Sequence, residues 1–460
     1  MVEGKCNLRY NKSEAQNVVC TVPDETKKCV LRRIKMILLK GGRVIDPASG
    51  YDKIADVLIK EDRILDIGEN IATDDFSDSV QVVDCNGCIV GPGLVDVHTH
   101  FRDPGLTYKE DIITGAKAAA AGGYTSVILM ANTKPTVDSV ETLRYVLERG
   151  KQTDIHVYSC GAVTKGLQGA ELTDFEELKG AGAIGLTDDG IPLLDDSIAE
   201  KAMEEAAKHG MVLSFHEEDP KYIENNGINR GAASDYYNIG GSSREAEISM
   251  VRRDLEMAGK TGATINIQHV SAKETVELIR EAKKKYPGKI YAEATPHHIA
   301  LDENAAIKYG THAKMNPPLR TEEDRRAIIE GLADGTIDFI ATDHAPHSRE
   351  EKEKKITEAP SGIIGLETAL PIAHEILIRQ FKMSFLKVFC KMSFNPASLY
   401  GISAGKLAKN EIADVVVFDE NLVKKYEKTF SKSQNSPFLG HIFEGNVVMT
   451  ICGGRIIYRI

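Results

Sequence analysis

Short runs in which apolar and polar residues alternate open and close this chain, and longer stretches at helical spacing fill its centre. Between Met36 and Val90 the alternating runs are Ala55-Asp-Val-Leu-Ile59, Arg63-Ile-Leu-Asp-Ile67 and Gln81-Val-Val-Asp84. Alternation bounded by turn residues is the strand pattern, because successive side chains point to opposite faces. The same texture returns in Ala413-Asp-Val-Val-Val-Phe418, Val447-Val-Met-Thr-Ile451 and Arg455-Ile-Ile-Tyr458. Two β-rich flanks around a long centre predict one small β-sandwich built from residues 36–90 and 399–460.

The centre, residues 91–398, repeats strand, loop and helix. Strands are predicted at 94–100, 125–131, 154–159, 183–188, 211–216, 264–269, 290–295 and 339–343. Helical spacing lies between them, for example over 198–208 and 272–285. Eight strands alternating with helices give an α/β class, and predict a (β/α)8 TIM-type barrel.

Composition bounds this picture. The chain has 460 residues, 42% hydrophobic and 27% charged, which is ordinary for globular proteins. That length holds a barrel of about 250 residues and a smaller domain. The net charge is −11, with no basic stripe, which argues against nucleic acid as a partner. No apolar run reaches about 18 residues, so no membrane-spanning helix is expected. The eight cysteines are scattered, which favours reduced thiols and a cytoplasmic location. Cys85-Asn-Gly-Cys88 reads as a turn. Residues 1–35 are polar, hold Cys6, Cys20 and Cys29, and show no sustained period. We expect them to be an extension, either disordered or upstream of a native start at Met36. A transit peptide fits less well because acidic residues are present.

The candidate chemistry lies at the predicted strand ends. Val95, Val97 and Thr99 alternate with Asp96, His98 and His100, so His98 and His100 share one face at the end of the first strand. The fourth strand ends in Thr187-Asp-Asp-Gly190, the fifth in Phe215-His-Glu-Glu218 and the sixth in Gln268-His-Val-Ser271. The eighth ends in Ala341-Thr-Asp-His-Ala-Pro-His347. In a barrel all these ends meet at one mouth, the usual place for an active site. A single histidine at a strand end is more often merely solvated; convergence is what suggests ligation. Four histidines and two aspartates exceed the four ligands of one tetrahedral zinc. They suit two metals that share a bridging carboxylate. From spacing alone, Asp188 rivals Asp189 as the bridge. His297 and His298 read as supporting or packing residues. His156, His209, His312, His374 and His441 read as structural or surface residues.

These motifs together resemble the amidohydrolase superfamily, and within it the dihydroorotases of the bacterial type I class. The matching stretches are Asp96-Val-His-Thr-His-Phe-Arg-Asp-Pro-Gly105, Met130-Ala-Asn-Thr-Lys-Pro135, Thr187-Asp-Asp-Gly190 and His216-Glu-Glu218. Thr295-Pro-His-His298, Lys314-Met-Asn-Pro-Pro-Leu-Arg320, the segment 338–347 and Ala359-Pro-Ser-Gly362 complete the set. The resemblance covers residues 36–460. It implies two Zn²⁺ per subunit, with His98, His100 and Asp343 on one and His216 and His269 on the other. Asp189 and a hydroxide would bridge them. It makes Asp343 the proton shuttle. It assigns the substrate carboxylate to Arg102, Asn132 and His347, and the ring amides to Asn316 and the backbone at Ser361 and Gly362, with His100 also at the substrate.

The implied reaction is the reversible cyclisation of N-carbamoyl-L-aspartate to (S)-dihydroorotate with loss of water, the third step of pyrimidine (UMP) biosynthesis. A homodimer, and docking with aspartate transcarbamoylase as in some relatives, are the associations the resemblance suggests. Hydantoinases, dihydropyrimidinases and allantoinases are the rival enzymes; they generally bridge their metals with a carboxylated lysine, which strand 4 lacks here. A non-catalytic barrel subunit is the rival of another class, disfavoured because all six ligand positions are filled.

Overall fold

The computed structural model describes residues 36–72 and 80–460. The expectations for residues 1–35 lie outside the described residues.

Alternation at both flanks produces strands where it predicts them. β1 (Met36–Asp46), β2 (Tyr51–Lys60), β3 (Arg63–Gly68), β4 (Val80–Asp84) and β5 (Cys88–Pro92) follow in order. β1, β2 and β3 pair antiparallel. β4 and then β5 run parallel along the other edge of β1. The centre supplies β6 (Leu94–Thr99), β7 (Tyr124–Leu129), β8 (His156–Ser159), β9 (Leu186–Thr187), β10 (Val212–Phe215), β11 (Thr264–Ile267), β12 (Ile290–Ala294) and β13 (Phe339–Ile340). The chain closes with β14 (Val415–Lys425), β15 (Ile442–Cys452) and β16 (Arg455–Arg459).

The two flanks form one eight-stranded hydrogen-bonded sheet, because β14 pairs antiparallel with β5. Its order is β16-β15-β14-β5-β1-β2-β3, with β4 beside β1. Leu39, Val57, Val90, Val415 and Ile451 share one apolar cluster, so the sheet folds around a core drawn from both flanks.

The central strands form two parallel sheets, β6-β7-β8 and β9 to β13 in sequence order. Their edges meet twice, at the parallel bridges Gly161–Leu186 and Thr99–His344. The His100 amide donates to the His344 carbonyl at 2.9 Å, extending the second junction. Val95, Ile128, Phe339 and Ala341 pack together in one cluster; Leu94, Val127, Leu213 and Ile340 pack with the helices in another. Those helices are cut by their caps. Asp195 accepts from two amides at the start of Asp196–His209, and Gly210 ends it in the left-handed region.

All eight central strands are shorter than the sequence predicts, two of them by most of their length. The fourth is only Leu186–Thr187 and the eighth only Phe339–Ile340. The backbone leaves the ladder there: Asp343 has φ 46° and the Asp188 side chain ties a loop instead. Pairing also slips between Asp96 and Thr99. The buried Asp96 carboxylate fills that gap, accepting from the amides of His98 and Thr342, each at 3.1 Å.

Candidate metal centre

Six predicted ligands come from five strand ends and converge. His98 Nε2 lies 3.3 Å from Asp189 Oδ1 and 3.6 Å from Asp343 Oδ1. His100 Nε2 lies 3.0 Å from Asp343 Oδ1 and 3.4 Å from Asp189 Oδ2. His216 Nδ1 and His269 Nε2 are 3.0 Å apart, and each is 3.8 Å from Asp189 Oδ1. Asp189 thus presents one oxygen to the second histidine pair and the other to His100. Two groups, His98 with His100 and Asp343, and His98 with Asp189 and His269, each hold donor atoms within 4.8 Å of one another. Every member is buried. His98 Nε2 has no hydrogen-bond partner among the described residues. An orphaned nitrogen amid carboxylates and imidazoles is what a metal would satisfy.

Charge within the cluster is balanced internally. Burial resists ionisation of Asp189, but His98, His269 and His100 outweigh it and hold the carboxyl well below its ordinary range. Asp343 behaves alike, with His100 as its strongest support. Burial pushes His98 down, yet Asp189 and Glu293 reverse this and raise it. His100 is lowered by burial and by the Arg102 cation.

Supporting residues fix which nitrogen faces the cluster. His98 Nδ1 sits 2.6 Å from Glu293 Oε1, which directs Nε2 inward. Glu293 is the penultimate residue of the seventh central strand, β12, and is itself held by Asn266 Nδ2 at 3.0 Å. His216 Nδ1 faces the cluster, and its Nε2 lies 3.2 Å from both Glu218 Oε2 and Asn316 Nδ2. His100 Nδ1 faces Asn132 Oδ1 at 2.9 Å. Sequence reading missed Glu293. His298 is engaged by Thr295 Oγ1 at 2.8 Å and the Pro317 carbonyl at 3.2 Å, consistent with packing behind the site. Asp188 turns away: it accepts from the amides of Val163 and Thr164 and from the Thr164 hydroxyl.

A cavity of about 220 Å³ opens on this cluster. It is lined by His100, Asp189, His216, His269 and Asp343, and also by Arg102, Asn132, Asn316, His347, Ser361 and Gly362. Arg102 Nε donates to the Pro346 carbonyl at 3.3 Å, and no hydrogen bond among the described residues uses its two Nη groups. His347 Nδ1 lies 3.3 Å from both Lys109 Nζ and Glu351 Oε2. Burial, Arg102 and Lys109 push His347 down to about 2, so the ring is neutral. Asn132 lines the cavity, but its amide is spent locally: Nδ2 donates to Asp189 Oδ2 at 3.0 Å. Asn316 Nδ2 lies 3.2 Å from His216 Nε2, and its Oδ1 has no partner among the described residues. Asp343, His269 and Arg102 all have positive φ, strain that sites of this kind concentrate.

A model described as the amidohydrolase family matches residues 89–457. The chain belongs to the amidohydrolase family. Among curated amidohydrolases it is 49% identical to the dihydroorotase of Clostridioides difficile over 425 residues, 92% of this chain and 100% of that protein. It is 47% identical to the dihydroorotase of Clostridium acetobutylicum over 426 residues, again 92% of this chain and 100% of the relative. Among solved structures, L-hydantoinase (dihydropyrimidinase) from Arthrobacter aurescens superposes with a TM-score of 0.81 at 24% identity, covering 92% of this chain and 96% of that one. Dihydropyrimidinase from Brevibacillus agri gives 0.79 at 23%, over 92% and 95%. These two share the amidohydrolase fold seen here. No helix among the described residues is long and apolar enough to cross a membrane.

Proposed function

We propose that this chain is a dihydroorotase that uses two zinc ions to interconvert N-carbamoyl-L-aspartate and (S)-dihydroorotate in pyrimidine biosynthesis. The observation that carries this reading is the single cavity that gathers five of the six ligand residues with Arg102, Asn316, His347, Ser361 and Gly362. Relatives named dihydroorotase, 44–49% identical over about nine-tenths of the chain, support the same reading. In it the eight central strands close as a (β/α)8 barrel over residues 91–398, and 36–90 with 399–460 form the β domain.

His98, His100 and Asp343 would hold one ion, His216 and His269 the other, with Asp189 shared. Bound zinc supplies Lewis acidity, which lowers the pKa of water and polarises an amide carbonyl. The protein does the rest. Glu293 fixes the tautomer of His98. The free Nη groups of Arg102 grip the substrate carboxylate with two charge-assisted hydrogen bonds. With Nδ1 accepting from Lys109, the neutral His347 ring offers Nε2–H as a further donor. Asn316 and the backbone at Ser361 and Gly362 hold the ring amides.

In the hydrolytic direction the water oxygen bonds to the ring carbonyl carbon and Asp343 takes the water proton. The carbon–nitrogen bond then breaks, and Asp343 gives that proton to the leaving ring nitrogen. A carboxyl group, which releases the second water proton to solvent, and a ureido group result; cyclisation is the reverse path. Asp343 suits this because its Oδ1 faces the histidines while the side chain borders the cavity.

The fold neighbours are hydantoinases, but the bridging position here is Asp189 rather than a lysine, and Arg102 favours a substrate with a carboxylate. The test is a spectroscopic assay of dihydroorotate hydrolysis with metal analysis on the same sample. Turnover with at least about two zinc ions per chain supports the reading. A metal-replete protein that leaves dihydroorotate intact overturns it.

A further inference from the structure

On the far side of the central strands, His156, Asp414 and Cys452 bring an imidazole nitrogen, a carboxylate oxygen and a thiol within 4.8 Å of one another. His156 opens β8, Asp414 immediately precedes β14 and Cys452 ends β15. The trio therefore joins the flanking sheet to the amino end of a central strand, whereas the candidate metal centre lies at the carboxyl ends. Asp414 and Cys452 are 4% and 3% exposed. Asp414 Oδ1 accepts from the Gly453 amide at 2.8 Å. Its Oδ2 lies 3.1 Å from His156 Nε2, yet neither atom has a well-formed hydrogen bond among the described residues. The Cys452 thiol reaches only the Thr125 carbonyl, at 3.8 Å. Leaving a buried carboxylate oxygen misaligned is costly unless something else satisfies it.

We propose that this trio is a separate site for a thiophilic divalent cation such as Zn²⁺. Imidazole, carboxylate and thiolate are all zinc donors. A neutral His156, the Asp414 carboxylate and the Cys452 thiolate cancel the two charges of the ion, so the loaded site is neutral where burial demands it. On binding, the Cys452 proton leaves to solvent and the sulfur bonds to the metal. A tetrahedral ion holds neighbouring donors roughly 3.2–3.8 Å apart, so the trio needs to contract by about 1 Å. The His156 side chain is 36% exposed, which leaves a fourth position open to water. Arg455, the cation facing His156, is drawn aside by Asp154 at 3.4 Å. The ion would clip the carboxyl-terminal strands to the central sheet and stabilise the fold without entering the reaction.

The test is exchange of Co²⁺ into the purified, reduced full-length protein. The candidate metal centre offers only nitrogen and oxygen donors, so a near-ultraviolet sulfur-to-cobalt charge-transfer band reports a thiolate site. The band is expected in the unaltered protein, lost in Cys452→Ser and weakened in the half-exposed His156→Gln. It should persist when Cys85 and Cys88 are both replaced by serine. Metal content should fall by one ion per chain in Cys452→Ser while hydrolysis of dihydroorotate is retained. Absence of the band, or a band that survives Cys452→Ser, overturns the site and leaves His156 and Asp414 as a plain ion pair.

Discussion

Asp188 and Asp189 are neighbours in sequence with opposite surroundings. Asp189 faces four histidines, whereas Asp188 is spent on the amides of Val163 and Thr164. We therefore expect Asp189→Ala to lose at least one metal per chain by elemental analysis. Asp188→Ala should keep its metal but lose stability, by about 1–3 kcal/mol for the amides left unsatisfied. Depletion in the second variant alone would reverse these roles. Spacing could not separate the two, because each sits at the strand end and only the loop contact of Asp188 distinguishes them. Glu293 was equally illegible: it supports His98 from 195 positions away. Replacing it by glutamine removes the charge that orients His98, and should weaken metal affinity by about 10–100-fold in a chelator competition. Asp343→Asn keeps an oxygen donor but cannot carry a proton, so kcat should fall by at least about 10²-fold with metal retained. An unchanged kcat in the metal-replete variant would remove Asp343 from proton transfer. Arg102→Met should mainly raise KM, since the carboxylate is gripped in ground and transition states alike.

At the scale of elements, the loop carrying Ser361 and Gly362 is held from beneath by two buried lysines. Lys314 Nζ donates to the carbonyls of Ile356 and Ala359, both at 2.7 Å, and Lys352 Nζ to those of Pro360 and Gly362, at 2.9 and 3.2 Å. Gly362 has φ 133°, and a Cβ there would meet Ala345 Cβ at 2.8 Å. Gly362→Ala should therefore strain the loop, by about 1–3 kcal/mol, and show both a raised KM and a lowered Tm. A normal KM would mean that this backbone does not touch substrate. The repeat of strand, loop and helix located every central strand, although β6, β7 and β10 are buried along their whole length. It overran every strand, the fourth and eighth furthest, because the chain is bent out of the ladder there towards the site. Functional strain of that kind leaves no mark in hydrophobic periodicity.

For the whole molecule, the described fold begins with β1, whose first residues pair with β2 and β4. We expect residues 36–460 alone to fold and retain full activity; a large loss of soluble, active protein on removing 1–35 would contradict this. Both flanks were legible as strands of one β-rich unit, but not the direct pairing of β5 with β14, which lie more than 300 residues apart with nothing local to join them. The central claim is that this cavity is built for a cyclic amide bearing a carboxylate. It is tested most directly by comparing kcat/KM for dihydroorotate and for dihydrouracil, which lacks that group, on the same metal-loaded protein. The account predicts a strong preference for dihydroorotate; equal or better turnover of dihydrouracil would contradict it.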